Sequence, residues 1–186
     1  MNKRLIVLLM AVMLVPLTGM AQKDIFDKYS DNPNVTYVNI KPKMFQMIAK
    51  VGVDTSDPEA KAFMDMVKSI TSFKTIVTDN SAISADITKW VKSRSSSLEE
   101  LMEVRDDGTE VKFYVKEGKD EDHVKELLIF VNGVDKAMKG KGVEINGETR
   151  NIETVVVSFT GDIDLNEISK LTEKMNIPAG EHLNKK

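Results

Sequence analysis

The chain has 186 residues, with 26 basic and 29 acidic side chains, a formal charge of −3, two histidines, one tryptophan and no cysteine. That length fits one compact domain or two small ones, and the missing cysteine excludes disulfides, thiol catalysis, cysteine-ligated zinc, iron–sulfur clusters and a lipidated N-terminal cysteine. Lysine and arginine are spread evenly through a slightly acidic chain, so no basic surface points to a nucleic-acid partner.

Met1 to Arg4 is a short basic start, and Leu5 to Val15 is unbroken apolar sequence. Pro16 and Gly19 then interrupt helicity, and Gly19 and Ala21 place small residues ahead of Gln22. These are the three parts of a secretory signal peptide, with cleavage expected after Ala21. The apolar run is well short of the roughly 20 residues that span a bilayer as a helix. Cleavage leaves 165 residues carrying 24 basic and 29 acidic groups. No second long apolar run follows, so the mature chain is expected to be periplasmic or secreted, with no transmembrane segment.

Residues 22–34 form a polar lead-in with one helical turn. Val35 to Ile40 is β-branched and lies between Pro33 and Pro42, which predicts a strand. A helix opens at Pro42, with Met44, Ile48 and Val51 at helical spacing until Gly52. Ser56–Asp57–Pro58–Glu59 is a capping signature in front of a second stripe, Phe63, Met66, Val67 and Ile70. Phe73 to Thr78 predicts a strand, and Ile83, Ile87, Trp90 and Val91 an amphipathic helix that runs into Ser93–Ser97.

In the second half, Leu98–Arg105 and Thr109–Lys116 flank Asp106–Asp107–Gly108, a hairpin signal because Asp and Gly accept the positive φ of the turn. Val111, Phe113 and Val115 alternate with Lys112, Tyr114 and Lys116, which predicts a wet face on the Lys112 side. Val124 to Val131 is almost continuously apolar from Leu127, as a central strand is. A turn-rich stretch leads to a strand over Ile152–Thr160. A helix capped by Asp164 comes next, on Leu165, Ile168, Leu171 and Met175, ending at Pro178. The expected fold is α+β: a mostly antiparallel sheet of five to seven strands with about four helices packed on one face. Residues 35–178 read as a single domain and 179–186 as a tail. A weak echo relates 35–97 to 98–178, because Phe73–Asp79 and Thr154–Thr160 each lead into a helix.

Chemistry is sparse. Asp120, Glu121, Asp122 and His123 form the densest ligand-like run, and Asp120, Asp122 and His123 are weak candidates for a divalent metal. Consecutive side chains diverge on either a strand or a helix, so the competing reading is a solvated acidic loop. Ser93, Ser95, Ser96 and Ser97 lack the glycine elbow of a serine nucleophile. Gly140–Lys141–Gly142 lacks the helix that completes a phosphate loop and reads as a hairpin tip. No catalytic residue and no cofactor is expected. Met44, Met66 and Met175 fall on apolar stripes as core residues, whereas Met47 and Met64 fall off them and suggest an adaptable apolar surface. Trp90 fits either a helix anchor or an interface.

The whole mature chain resembles an exported bacterial family known as domain-of-unknown-function family 4252. The resemblance is carried by Met20–Ala21–Gln22, the Asn34–Ile40 strand with the Met44–Lys50 helix, the hairpin around Asp106–Gly108, and most of all Val155 to Leu165. It implies an address in the Gram-negative envelope, often through a lipid anchor, which this cysteine-free chain lacks. It implies no activity and no site residues. The function expected is therefore a non-enzymatic binding or regulatory domain with an envelope protein partner, working through an exposed sheet face or edge. The alternative is a carboxylate- or metal-dependent hydrolase.

Overall fold

A computed structural model describes residues 24–48, 50, 58–138, 142–145 and 148–166. The elements in chain order are α1 (Ile25–Tyr29), β1 (Thr36–Ile40), α2 (Pro42–Ile48), α3 (Pro58–Ser69), β2 (Ile70–Thr78), α4 (Ser81–Arg94) and a 3-10 turn, Ser95–Ser97. They continue with β3 (Glu99–Asp106), β4 (Thr109–Glu117), β5 (His123–Asn132), α5 (Val134–Ala137), β6 (Val143–Ile145), β7 (Glu148–Arg150) and β8 (Thr154–Asp164). Six strands form one sheet in the order β1–β2–β8–β5–β4–β3, antiparallel throughout, and β6–β7 is a separate ribbon. The fold is α+β.

Strand alternation divides the apolar residues between two faces. On one, Ile76, Val156, Leu128, Phe130 and Tyr114 pack under Ile83, Ile87, Trp90 and Val91 of α4, with Ile25 and Phe26 of α1 beside them. On the other, Phe45 of α2 and Val67 of α3 pack on Ile40, Phe73 and Phe159, and a further cluster joins Val115, Val124, Leu127 and Ile163 to Leu165. The helices therefore lie on both faces rather than one. The reason is that α3 runs directly into β2 at Ile70 and stays on the Phe73 side, while α4 leaves β2 after Thr78 and returns across the Ile76 side.

Local chemistry accounts for the elements. Asn80 caps α4 by accepting from the amides of Ala82 and Ile83, and Lys92 and Arg94 sit in its last turn, where cations oppose the helix dipole. The β3–β4 turn holds Asp107 at φ 44° and Gly108 at φ 79°, the pair of positive angles a two-residue hairpin needs. At the start of α4 the buried hydroxyls are paired: those of Ser84 and Thr154 lie 2.6 Å apart, and Thr154 Oγ1 donates to Asn132 Oδ1 at 2.8 Å.

Several expectations change. The lead-in is not merely polar, because Ile25 and Phe26 are each 2% exposed and Phe26 meets the Trp90 ring edge-on at 5.8 Å. Trp90 is thereby a helix anchor. Met44 is exposed and Phe45 takes the buried position of α2, while Met64 is buried with Met66. β4 is covered on both faces: Tyr114 is buried under α4 on the side expected to be wet, and on the reverse face Val115 is buried while Val111 and Phe113 are half-buried. α4 crosses the Tyr114 side, and Val124, Leu127 and Ile163 pack with Val115 on the other. β8 runs through Gly161 and Asp162 to Asp164, which still acts as a cap, its Oδ1 accepting from Asn166 N at 2.9 Å. The segment expected to be a signal peptide, Val51–Asp57, Gly140–Lys141, Ile168, Leu171 and Met175 lie outside the described residues.

Candidate functional site

The acidic run sits in the β4–β5 loop. Nδ1 of His123 donates to Asp120 Oδ1 at 2.6 Å, and the same oxygen accepts from the amide of Asp122 at 3.2 Å. That arrangement follows from i,i+3 spacing in a turn that delivers His123 to the first position of β5. The bond from His123 holds the Asp120 carboxyl below the ordinary carboxylate range. Asp122 contributes its backbone, its carbonyl accepting from Leu165 N at 2.9 Å. Among the described residues, no group of three or more His, Asp or Glu side chains converges to hold a metal ion. The structure thus joins Asp120 to His123 and leaves the Asp122 carboxylate apart.

The loop closes one end of a recess of about 510 Å³ lined by Val115, Gly118, Asp120 and His123, with Glu99 and Leu101 of β3 on its far wall. β3 is the sheet edge, hydrogen-bonded to β4 alone among the described strands. Seven of its eight residues are exposed, so a row of backbone donors and acceptors faces outward. Glu99, Glu100, Glu103 and Asp106 against Arg105 make this edge acidic. Its register shifts between Glu100 and Met102, putting Leu101 at the irregularity with 40% of its surface exposed.

The two faces of the hairpin differ. On the α4 side Glu103, Arg105, Glu110 and Lys112 form a closed ion-pair network with separations of 2.6 to 3.3 Å. Lys112 and Arg105 hold Glu110 below the ordinary carboxylate range even though burial pushes it up. On the reverse side Val104 faces Val111, which faces Val131, while Met102 faces Phe113, which faces Ile129. Val104 is 40% exposed, so this apolar strip reaches the rim of the sheet.

The serine run is structural. Ser93, Ser95, Ser96 and Ser97 each donate a hydroxyl hydrogen bond to the carbonyl three residues earlier, closing the end of α4. Sequence reasoning overlooked a second polar cluster under α4, where Arg94 pairs with Glu126 at 2.7 Å and Lys74 with Asp24 at 3.0 Å. Lone charges on otherwise apolar strands were the signal for it, since β2 and β5 each set one such charge on the face α4 covers.

Among the described residues no helix is long and apolar enough to cross a membrane. No curated protein and no solved structure matches the chain. The family model described as Domain of unknown function (DUF4252) matches residues 29–171, a span that runs from the last residue of α1 through all six strands of the sheet and includes the β4–β5 loop. The chain belongs to that family.

Proposed function

We propose that the protein is an exported, non-enzymatic binding module of the bacterial envelope that takes an extended, basic segment of a partner protein onto the β3 edge. The observation that carries this is the edge itself: eight residues long, exposed, acidic, and continuous with a recess. Strand addition supplies main-chain hydrogen bonds, and alternate side-chain pockets supply selectivity. Leu101 and Val104 offer apolar contacts. Glu99, Asp120 and Glu121 around the recess attract a lysine or arginine at the end of the added strand. The shifted register and edge charges work against indiscriminate pairing, which suits a selective edge. Export is supported by the basic start, the Leu5–Val15 apolar run and the small residues before Gln22.

A photo-crosslinking residue at Leu101, in cells of the source bacterium, tests this. The expected result is a discrete adduct that is absent when the crosslinker sits at Lys89 on α4 and is lost when Glu100→Lys and Glu103→Lys reverse the edge charge. Recovery of monomer alone, or an adduct indifferent to charge reversal, refutes the reading. Among the described residues, the alternative, a hydrolase using carboxylates or a metal, rests on the Asp120–His123 pair.

A further inference from the structure

Beneath α4, on the face opposite the apolar strip, the registers of β2, β8 and β5 lay out a polar floor. Ser72, Thr160 and Glu126 form one row, and Lys74, Ser158 and Leu128 the next. The N-cap of α1 and the last turn of α4 stand over it, so that Asp24, Phe26, Trp90 and Arg94 wall a recess of about 370 Å³. That volume lies at the small end of the roughly 300–1,000 Å³ range of ligand pockets.

The charges here are already matched. Arg94 Nη2 donates to both oxygens of Glu126, at 2.9 and 2.7 Å, and Glu126 is only 14% exposed. Lys74 Nζ donates to Asp24 at 3.0 Å and to Asp27 at 3.2 Å. Burial works against the Lys74 ammonium, but the two aspartates outweigh it and raise its affinity for the proton. An anion entering the recess competes with Glu126 or the aspartates, and a cation competes with Arg94 or Lys74. Displacing Glu126 from Arg94 leaves a charge that is only 14% exposed unpaired, the costly outcome in a partly dry site.

Neutral hydrogen-bonding groups, by contrast, are unspent. Ser158 is 7% exposed, and the hydroxyls of Ser72 and Ser158, which line the recess, bond to no described residue. Phe26 and Trp90 add carbon surface beside these groups. We propose that the recess binds a small uncharged polyhydroxyl ligand, a single sugar unit, whose hydroxyls engage those of Ser72 and Ser158 while its ring carbons meet the aromatic wall.

Trp90 is the only tryptophan of the chain, so its emission reports the recess directly. The protein is titrated separately with D-glucose, D-galactose, N-acetyl-D-glucosamine, glycine and inorganic phosphate. A saturable change with at least one sugar and none with glycine or phosphate is expected. Ser158→Ala, which removes one hydrogen bond, weakens that sugar by about three- to tenfold. Ser158→Val, which also fills space, abolishes the response, and Ser96→Ala leaves it unchanged. Thermal melts confirm that each variant is folded, and Ser158→Ala stands alone if Ser158→Val is not. No saturation by any sugar, a response to glycine or phosphate instead, or unchanged sugar affinity in Ser158→Ala overturns the proposal.

Discussion

Phe26→Ala removes a ring that is 2% exposed, set edge-on to Trp90 at an interplanar angle of 86°, with Lys74 Nζ 5.7 Å from its centroid. Truncating a buried phenylalanine costs about 3–5 kcal/mol. α1 is only five residues long and borders the recess under α4, so part of the cavity can collapse or fill with water. That places the loss near the lower end, about 3–4 kcal/mol. In a domain of this size each kcal/mol shifts the melting temperature by about 2–4 °C, so the midpoint falls by about 6–16 °C. Urea and thermal melts followed by circular dichroism measure it, and Trp90 emission reports the packing partner itself. Met47→Ala, at a residue 53% exposed, provides the scale of a surface change, within about 0.5 kcal/mol. A loss below about 1 kcal/mol for Phe26→Ala, or one no larger than for Met47→Ala, would show that the segment before β1 is an appendage after all.

Asp86 accepts from Lys28 Nζ at 2.6 Å and from the Tyr29 hydroxyl at 3.0 Å, and the Lys28 bond above all holds its carboxyl below the ordinary range. Its folded value therefore lies below the unfolded one of about 3.9, so the unfolded chain binds the proton first and stability drains away as pH falls below about 4–5. Asp86→Asn flattens this acid limb in urea melts taken across pH, and parallel pH curves for variant and wild type refute the assignment. Addition of magnesium, calcium, manganese or zinc leaves the melting temperature unchanged, because Asp120 and His123 alone supply too few donors to bind firmly. A rise in melting temperature that disappears in His123→Ala would instead make the pair a metal site.

What the chain order revealed was local. The Asp107–Gly108 turn, the α4 stripe and the apolar β5 run are each decided by neighbours within a few residues, and each is found where expected. What it concealed was decided at a distance. Phe45, rather than Met44, is buried because of where β2 and β8 place Phe73 and Phe159. Tyr114 is covered because α4 crosses that face from β2, three strands away. The candidate sites divide in the same way. Asp120 and His123 meet through i,i+3 geometry, which spacing reveals. Arg94 and Glu126 meet only once β5 is set beside β8 under α4.

The place of β8 bears on how the chain reaches its folded state. Without β8 the sheet order leaves β1–β2 as one ribbon and β3–β4–β5 as one meander. Each then presents a bare inner margin, Ile70–Thr78 on one and His123–Asn132 on the other, the second rich in Ile, Leu and Val. Unpaired margins of this kind recruit strands from other molecules. The final strand acts as a zip that silences both margins at once. A chain ending short of that strand is two orphaned half-sheets rather than a trimmed version of the protein.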